Sequence, residues 1–143
     1  MRESLIDTDI LSEIMEGKDA VLTARAKQYY RVFRQYSVSA ATYAEIRAGL
    51  AYKPKPKDVR SFEIIEPLLD VLPIEKEEAG TAGQIIGLLK SKGLPLGALD
   101  DLDPFIAATA IETGMVLATG NIAHYQRIVE LGFPLELENW REP

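Results

Sequence analysis

The stretch that decides the fold is LDDLDPFIAATAIETGMVLATGN, residues 99–121. Three aspartates, Asp100, Asp101 and Asp103, stand at the start of an alanine-rich run that predicts a helix. Gly114 is typical of a helix stop, and the apolar run after it is typical of a parallel strand that is covered on both faces. The stretch therefore predicts a helix followed by a buried strand, with crowded carboxylates that need a shared countercharge.

The rest of the chain repeats this alternation of strands and helices, and Thr8 or Asp9 is a plausible cap for the first helix. Strands are predicted at residues 4–7, 36–40, 70–74, 115–119 and 134–139. Helices are predicted at residues 8–15, 19–36, 42–52, 58–66, 75–93, 100–113 and 121–132. Such alternation indicates an α/β sandwich with a mainly parallel sheet, and the length of 143 residues indicates one domain, residues 1–143.

Composition excludes several classes of protein and site. The chain has no cysteine, which excludes disulfides and thiolate metal sites, and one histidine, His124, which excludes a histidine-rich zinc site. Asp7 and Asp9 interrupt the N-terminal apolar residues too early for a secretory signal, so a cytoplasmic protein is expected, with no membrane contact. The net charge of −6 disfavours nucleic-acid binding unless a divalent cation or a local basic patch offsets it.

Acidic and polar residues fall where strands end. Asp7 closes the first predicted strand, and Glu45 lies one helical turn after the second. Thr119 and Asn121 follow the fourth predicted strand, and Asp103 lies near the start of the helix before that strand. In parallel sheets such positions meet beyond the carboxyl ends of the strands. Carboxylates gathered there raise one another's pKa or bind a hard cation such as Mg²⁺ or Mn²⁺.

Each of these residues also has a structural interpretation that the local sequence leaves open. Thr42 and Glu45 have the spacing of a capping box, in which the glutamate bonds back to the Thr42 amide. Asp103 precedes a proline, as helix-capping aspartates do. Asn121 is a plausible cap for the helix that follows it.

Four blocks, in this order and spacing, carry a resemblance to a known family. They are LIDTDILSEIM (5–15), SAATYAEIRAGL (39–50), DLDPFIAATAIETGMVLATGNIAHYQRI (101–128) and LENW (137–140). The chain resembles the PIN domain, specifically the VapC-type toxins of toxin–antitoxin pairs. The resemblance implies a three-layer α/β/α sandwich and a Mg²⁺- or Mn²⁺-dependent endoribonuclease that cuts transfer or ribosomal RNA and so arrests translation.

The resemblance also assigns roles to residues. The positions that match the family's catalytic set are Asp7, Glu45, Asp103, Thr119 and Asn121. The three acids would seat the ion, whereas Thr119 and Asn121 would help to hold metal or water. If the loop before the helix fixes the alignment instead, Asp100 takes the place of Asp103, so Asp100 is a further candidate metal ligand. Asp9 is a departure, since many relatives have asparagine there.

Partners follow from the same resemblance: an RNA substrate, a cognate antitoxin protein and a second copy of the chain in a homodimer. Basic residues with two open interpretations, phosphate contact or a solvated surface, are Lys53, Lys55, Lys57, Arg47, Arg25, Lys27, Arg31 and Arg34.

Two rival interpretations remain. Asp7 and Asp9 mimic the Asp-x-Asp motif of haloacid-dehalogenase-like phosphatases, in which the first acid is the nucleophile. That motif continues to a threonine where Leu11 stands here. The other rival is a catalytically inactive PIN-fold binding module, which would be marked by loss of one of the acids.

Overall fold

The computed structural model describes residues 1–94 and 102–143, which form five strands and seven α-helices. The strands are β1 (Ser4–Ile6), β2 (Tyr36–Ser39), β3 (Leu69–Leu72), β4 (Val116–Ala118) and β5 (Leu137–Glu138). The helices are α1 (Thr8–Glu16), α2 (Ala20–Phe33), α3 (Ala40–Tyr52), α4 (Pro56–Ile65), α5 (Lys76–Ser91), α6 (Asp103–Thr113) and α7 (Ile122–Glu130). All five predicted strands are confirmed, with ends that agree or differ by up to three residues.

The sheet has the order β3-β2-β1-β4-β5, and each neighbouring pair is parallel. The chain leaves β1 for β2 on one side and later returns to the other side with β4. The carboxyl ends of β1 and β4 therefore form the topological switch point, where ligands bind in open α/β sheets.

Two apolar cores lie on the two faces of the sheet. Side chains alternate along a strand, so Ile6 and Ala118 enter a core with α1, α2 and α4. Leu5 and Leu117 enter a second core with α5, α6 and α7. The predicted three-layer α/β/α sandwich is confirmed. No helix among residues 1–94 and 102–143 is long and apolar enough to cross a membrane.

The C-terminal segment is fastened to the first core by an aromatic cluster. Trp140 is 1% exposed, and its ring centroid lies 5.1 Å from that of Tyr29. The Tyr29 hydroxyl accepts a hydrogen bond from the backbone N–H of Ser4 at 3.0 Å. Trp140 and Tyr29 are both buried in this core, and their contact fixes the position of Arg141, the residue after Trp140.

Several helix caps and helix ends differ from the sequence predictions; α2, for example, ends at Phe33 and not at residue 36. Asp7, not Thr8 or Asp9, is the N-cap of α1 and accepts from the Thr8 N–H. Helix α3 begins at Ala40, two residues earlier than predicted, because the Ser39 side chain accepts from the Thr42 N–H.

The capping box of Thr42 and Glu45 is therefore wrong, since Ser39 already occupies the cap position. Asp103 is the first residue of α6 and not its cap, which is Leu102. Helix α4 starts at Pro56, two residues before the predicted start at residue 58, because proline fits the first helical position. The capping roles that the local sequence left open for Glu45 and Asp103 are therefore excluded.

Candidate active site

Asp7 lies at the switch point and is held there by its neighbour strand. Ile6 pairs with Ala118, so Asp7 and Thr119 are the next residues beyond the ends of β1 and β4. The Asp7 N–H donates to the Ala118 carbonyl at 2.9 Å, and the Thr119 hydroxyl donates to Asp7 Oδ2 at 2.8 Å. Asp7 is 3% exposed and Thr119 is fully buried. The parallel register thus places a buried carboxylate in a fixed orientation.

A second buried carboxylate, Asp103, reaches the same place from the first turn of α6 and is 5% exposed. The Tyr125 hydroxyl hydrogen-bonds to both acids, with 3.3 Å between its oxygen and Asp7 Oδ1. Sequence reasoning missed Tyr125. Its only signal was a spacing of three from Ile128 on the buried face of α7.

The two carboxylates interact electrostatically. Burial is the largest cause that raises the pKa of Asp7, to about 7, and the negative charges of Asp9 and Asp103 raise it further. The hydrogen bond from Thr119 acts in the opposite direction. Burial and the two acids also raise the pKa of Tyr125, which therefore keeps its hydroxyl proton. The Tyr125 hydroxyl has one proton to donate and is neutral, so it does not balance the negative charge of the two acids.

Glu45 hydrogen-bonds to Thr8, the residue that follows Asp7. Thr8 Oγ1 donates to Glu45 Oε1 at 2.7 Å and lies 3.1 Å from the Thr42 hydroxyl. Within the described part of the chain, no three Asp, Glu, His or Cys side chains form a cluster that could hold a metal. The structure thus brings Asp7 and Asp103 together and leaves Glu45 on Thr8, one residue along from Asp7.

Asn121 lies at the exposed side of the site. Its N–H donates to Thr119 Oγ1 at 3.0 Å, which ties its backbone to the hydroxyl that orients Asp7. It occupies the N-cap position of α7, but among the described residues its side chain makes no capping hydrogen bond. The alternative third acid, Asp100, lies outside the described residues.

Asp9 contacts Arg141, an arginine that sequence reasoning missed. Arg141 donates to Glu13 Oε2 at 2.7 Å and to Asp9 Oδ2 at 3.4 Å. The same Asp9 oxygen accepts from the Gly120 N–H at 2.9 Å. Arg141 and the Gly120 amide therefore compensate the extra acid and fasten the loop between Thr119 and Asn121. Because Arg141 lies 132 residues from Asp9, no local pattern could reveal this contact.

The donor set suits a hard divalent cation. Asp7 and Asp103 supply oxygen atoms, which Mg²⁺ and Mn²⁺ prefer. Among the described residues, the groups that shift the pKa of Asp7 include no lysine, arginine or histidine. A divalent ion would provide the missing charge, so the residues present fit such an ion.

The chain belongs to the PIN domain family, whose profile matches residues 4–128. It is 30% identical to Ribonuclease VapC1 of Rickettsia felis over 128 residues, 87% of this chain and 89% of that protein. It is 27% identical to Ribonuclease VapC1 of Haemophilus influenzae over 128 residues, 89% of this chain and 92% of that protein.

Among solved structures, DNA-bound VapBC from Salmonella typhimurium is similar, with a TM-score of 0.75 and 25% identity. The match covers 98% of this chain and 99% of that one. The family membership favours the nuclease interpretation of the acids over the phosphatase rival, for which Leu11 already stands at the wrong position.

Replacing Asp7 by asparagine is expected to change how stability depends on pH in EDTA. The pKa of Asp7 rises from 3.8 to about 7 on folding, so the folded state binds the proton more tightly. The contribution of Asp7 protonation to the free energy of unfolding is full below about pH 4 and is lost as the pH rises through about 7. Asp7→Asn removes this loss and should stabilise the protein by up to roughly 4 kcal/mol at pH 8, about three pKa units at about 1.4 kcal/mol each, and by much less at pH 4.

Urea unfolding from pH 4 to pH 8 measures this difference. Asp58→Asn, on an exposed residue of α4, is the matched control and should follow the wild-type pH profile. Parallel profiles for wild type and Asp7→Asn would contradict the burial-raised pKa.

A side chain at Gly120 is expected to break the Arg141 contact. A Cβ there would overlap the Arg141 guanidinium and lie 2.8 Å from Asp9 Oδ2. Gly120→Ala and Arg141→Met should each destabilise by about 1 kcal/mol, since the pair is partly exposed. The double variant should lose little more than either single variant, because both remove the same contact.

Thermal unfolding of the three variants completes the cycle. Gly83→Ala is the control: a Cβ there meets open space among the described residues, so it should stabilise α5 by about 0.5–1 kcal/mol. Additive losses for Gly120→Ala and Arg141→Met would show that the two residues act independently.

Proposed function

We propose that the chain is a Mg²⁺- or Mn²⁺-dependent endoribonuclease that hydrolyses RNA phosphodiester bonds. The observation that carries the proposal is the buried pair of Asp7 and Asp103 at the switch point, short of positive charge, in a chain of the PIN domain family. Relatives that bear the name ribonuclease support the reaction class.

In this proposal Asp7, Asp103 and Glu45 hold the ion, with Asp100 as a further candidate ligand. When bound, the ion would activate water and stabilise the charge that develops on the phosphate. The Thr119 hydroxyl orients Asp7, and the Tyr125 hydroxyl holds the two buried acids in register.

The other polar residues act at the open side of the pair. Glu45 is a half-buried carboxylate fixed by Thr8, so it would contact the ion or one of its waters from this side. Asn121 is exposed beside Thr119 and is placed to contact the substrate phosphate or its water.

We further infer that the protein is the toxin of a toxin–antitoxin pair and acts as a single domain in the cytoplasm. Its substrate would be transfer or ribosomal RNA, so that cleavage stops translation. Its partners would be a cognate antitoxin and a second copy of the chain. The names of the VapC relatives and of the VapBC structure from Salmonella typhimurium support this assignment.

Cleavage of a panel of structured RNAs by the purified protein tests the reaction. Cutting is expected with Mg²⁺ or Mn²⁺ and not with EDTA. Asp7→Asn and Asp103→Asn should each lower the rate by at least about 100-fold, because each removes an anionic ligand of the ion that would stabilise the charge developing on the phosphate. Glu112→Gln, on an exposed residue of the same helix as Asp103, is the matched control and should cut at the wild-type rate.

A second readout does not depend on finding the RNA target. Mg²⁺ should raise the melting temperature of the wild type and of Glu112→Gln, since a ligand that binds the folded state stabilises it. It should not raise that of Asp103→Asn. Cutting that persists in EDTA, or equal Mg²⁺ stabilisation of all three proteins, would overturn the metal-dependent mechanism.

A further inference from the structure

A groove of about 710 Å³ runs along the surface from the candidate active site, between α1, α3 and α4. At one end it is lined by Thr8 and Glu45, the hydrogen-bonded pair next to Asp7. Its floor includes the apolar side chains of Ile46 and Leu50. The groove is therefore continuous with the site at which the phosphodiester would be cut.

Four of the chain's eight lysines line this groove: Lys18, Lys53, Lys55 and Lys57. Three acids, Glu16, Glu45 and Asp58, share the lining, so the groove carries four cations against three anions in a chain of net charge −6. Within residues 1–94 and 102–143, the ion pairs use arginines, and none uses a lysine of the groove. These ammonium groups are available to phosphates.

Tyr52 lies at the far end of the groove and is 81% exposed, unusual for so large a ring. The Lys53 ammonium lies 5.5 Å from the centre of that ring. Glu45, Gly49 and Tyr52 share one face of α3, and the rise of a helix places Tyr52 roughly 10 Å from Glu45. That span matches roughly three stacked nucleotides at 3.4 Å each.

We propose that this groove is the track for single-stranded RNA on one side of the scissile phosphate. The lysines contact the RNA backbone, and the Tyr52 ring stacks on a base a few nucleotides from the cut. Unpaired cations beside an exposed aromatic ring are the combination that binds single-stranded nucleic acid. A protein segment would have no use for the unpaired lysines unless it were acidic. The inference rests on the proposed ribonuclease function, and it adds Tyr52 and the lysines as substrate-positioning residues.

Binding of a short, fluorescently labelled, single-stranded RNA of mixed sequence to the Asp7→Asn protein tests the track without cleavage. Tyr52→Ala should weaken binding roughly 5- to 100-fold, the range found for loss of one stacked base, and Tyr52→Phe should restore it. Lys55→Gln with Lys57→Gln should lower the slope of log affinity against log salt by about 1.4, two phosphate contacts at about 0.7 each.

Matched controls come from outside the groove. Ile64→Ala removes a large exposed side chain on α4 that does not line the groove. Lys90→Gln with Lys92→Gln removes two exposed lysines at the end of α5. Both should bind like the parent. Duplex RNA, whose bases are already stacked, should be insensitive to Tyr52→Ala.

The outcomes separate the track from the ribonuclease proposal. Unchanged affinity and salt slope in the Tyr52 and lysine variants, with metal-dependent cleavage intact, would overturn the track alone. The expected binding losses in a protein that cuts no RNA would support the track and count against the ribonuclease. Loss of binding to the co-expressed antitoxin, with RNA binding unchanged, would assign the groove to a protein partner and would also overturn the inference.

Discussion

Burial of one carboxylate, Asp7, beside two further acids, Asp9 and Asp103, is the constraint on which the site depends. Hydroxyl groups of Thr119 and Tyr125 hydrogen-bond to the pair but bring no positive charge. Without a cation, burial and the neighbouring acids hold the pKa of Asp7 at about 7, so a proton supplies part of the missing charge. In the proposed function, a divalent cation would supply that charge and displace the proton. The free energy lost by burying a charged Asp7 would therefore be recovered when an ion binds.

The fold creates this pair by combining separate elements. The strand order sets Asp7 and Thr119 side by side at the switch point, and α6 delivers Asp103 from the layer on the other face. The last residues of the chain contribute as well, since the buried Trp140 anchors Arg141 beside Asp9. Asp9 also supports the loop through the Gly120 amide, while its negative charge still helps to raise the pKa of Asp7.

Sequence patterns predicted what short-range physics determines. Alternating strands and helices indicated the sandwich, and the rule for strand ends indicated that Asp7 and Thr119 would meet. Helix caps were mispredicted where two residues could each be the N-cap. Ser39 and Thr42 are three residues apart, and only the folded backbone decides which of them caps α3. Contacts between distant residues, such as those of Tyr125 and Arg141, have no local signature, because their partners lie 118 and 132 residues away.

The most direct test of the shared-charge account is the number of protons released when Mn²⁺ binds. Calorimetric titrations at one pH, in two buffers that differ in ionisation enthalpy, give this number. With a pKa of about 7 for Asp7, binding should release close to one proton at about pH 6 and almost none at about pH 8.5. Release that is the same at both pH values, or Mn²⁺ binding without any release at the lower one, would contradict the claim that the cation replaces a proton on the buried pair.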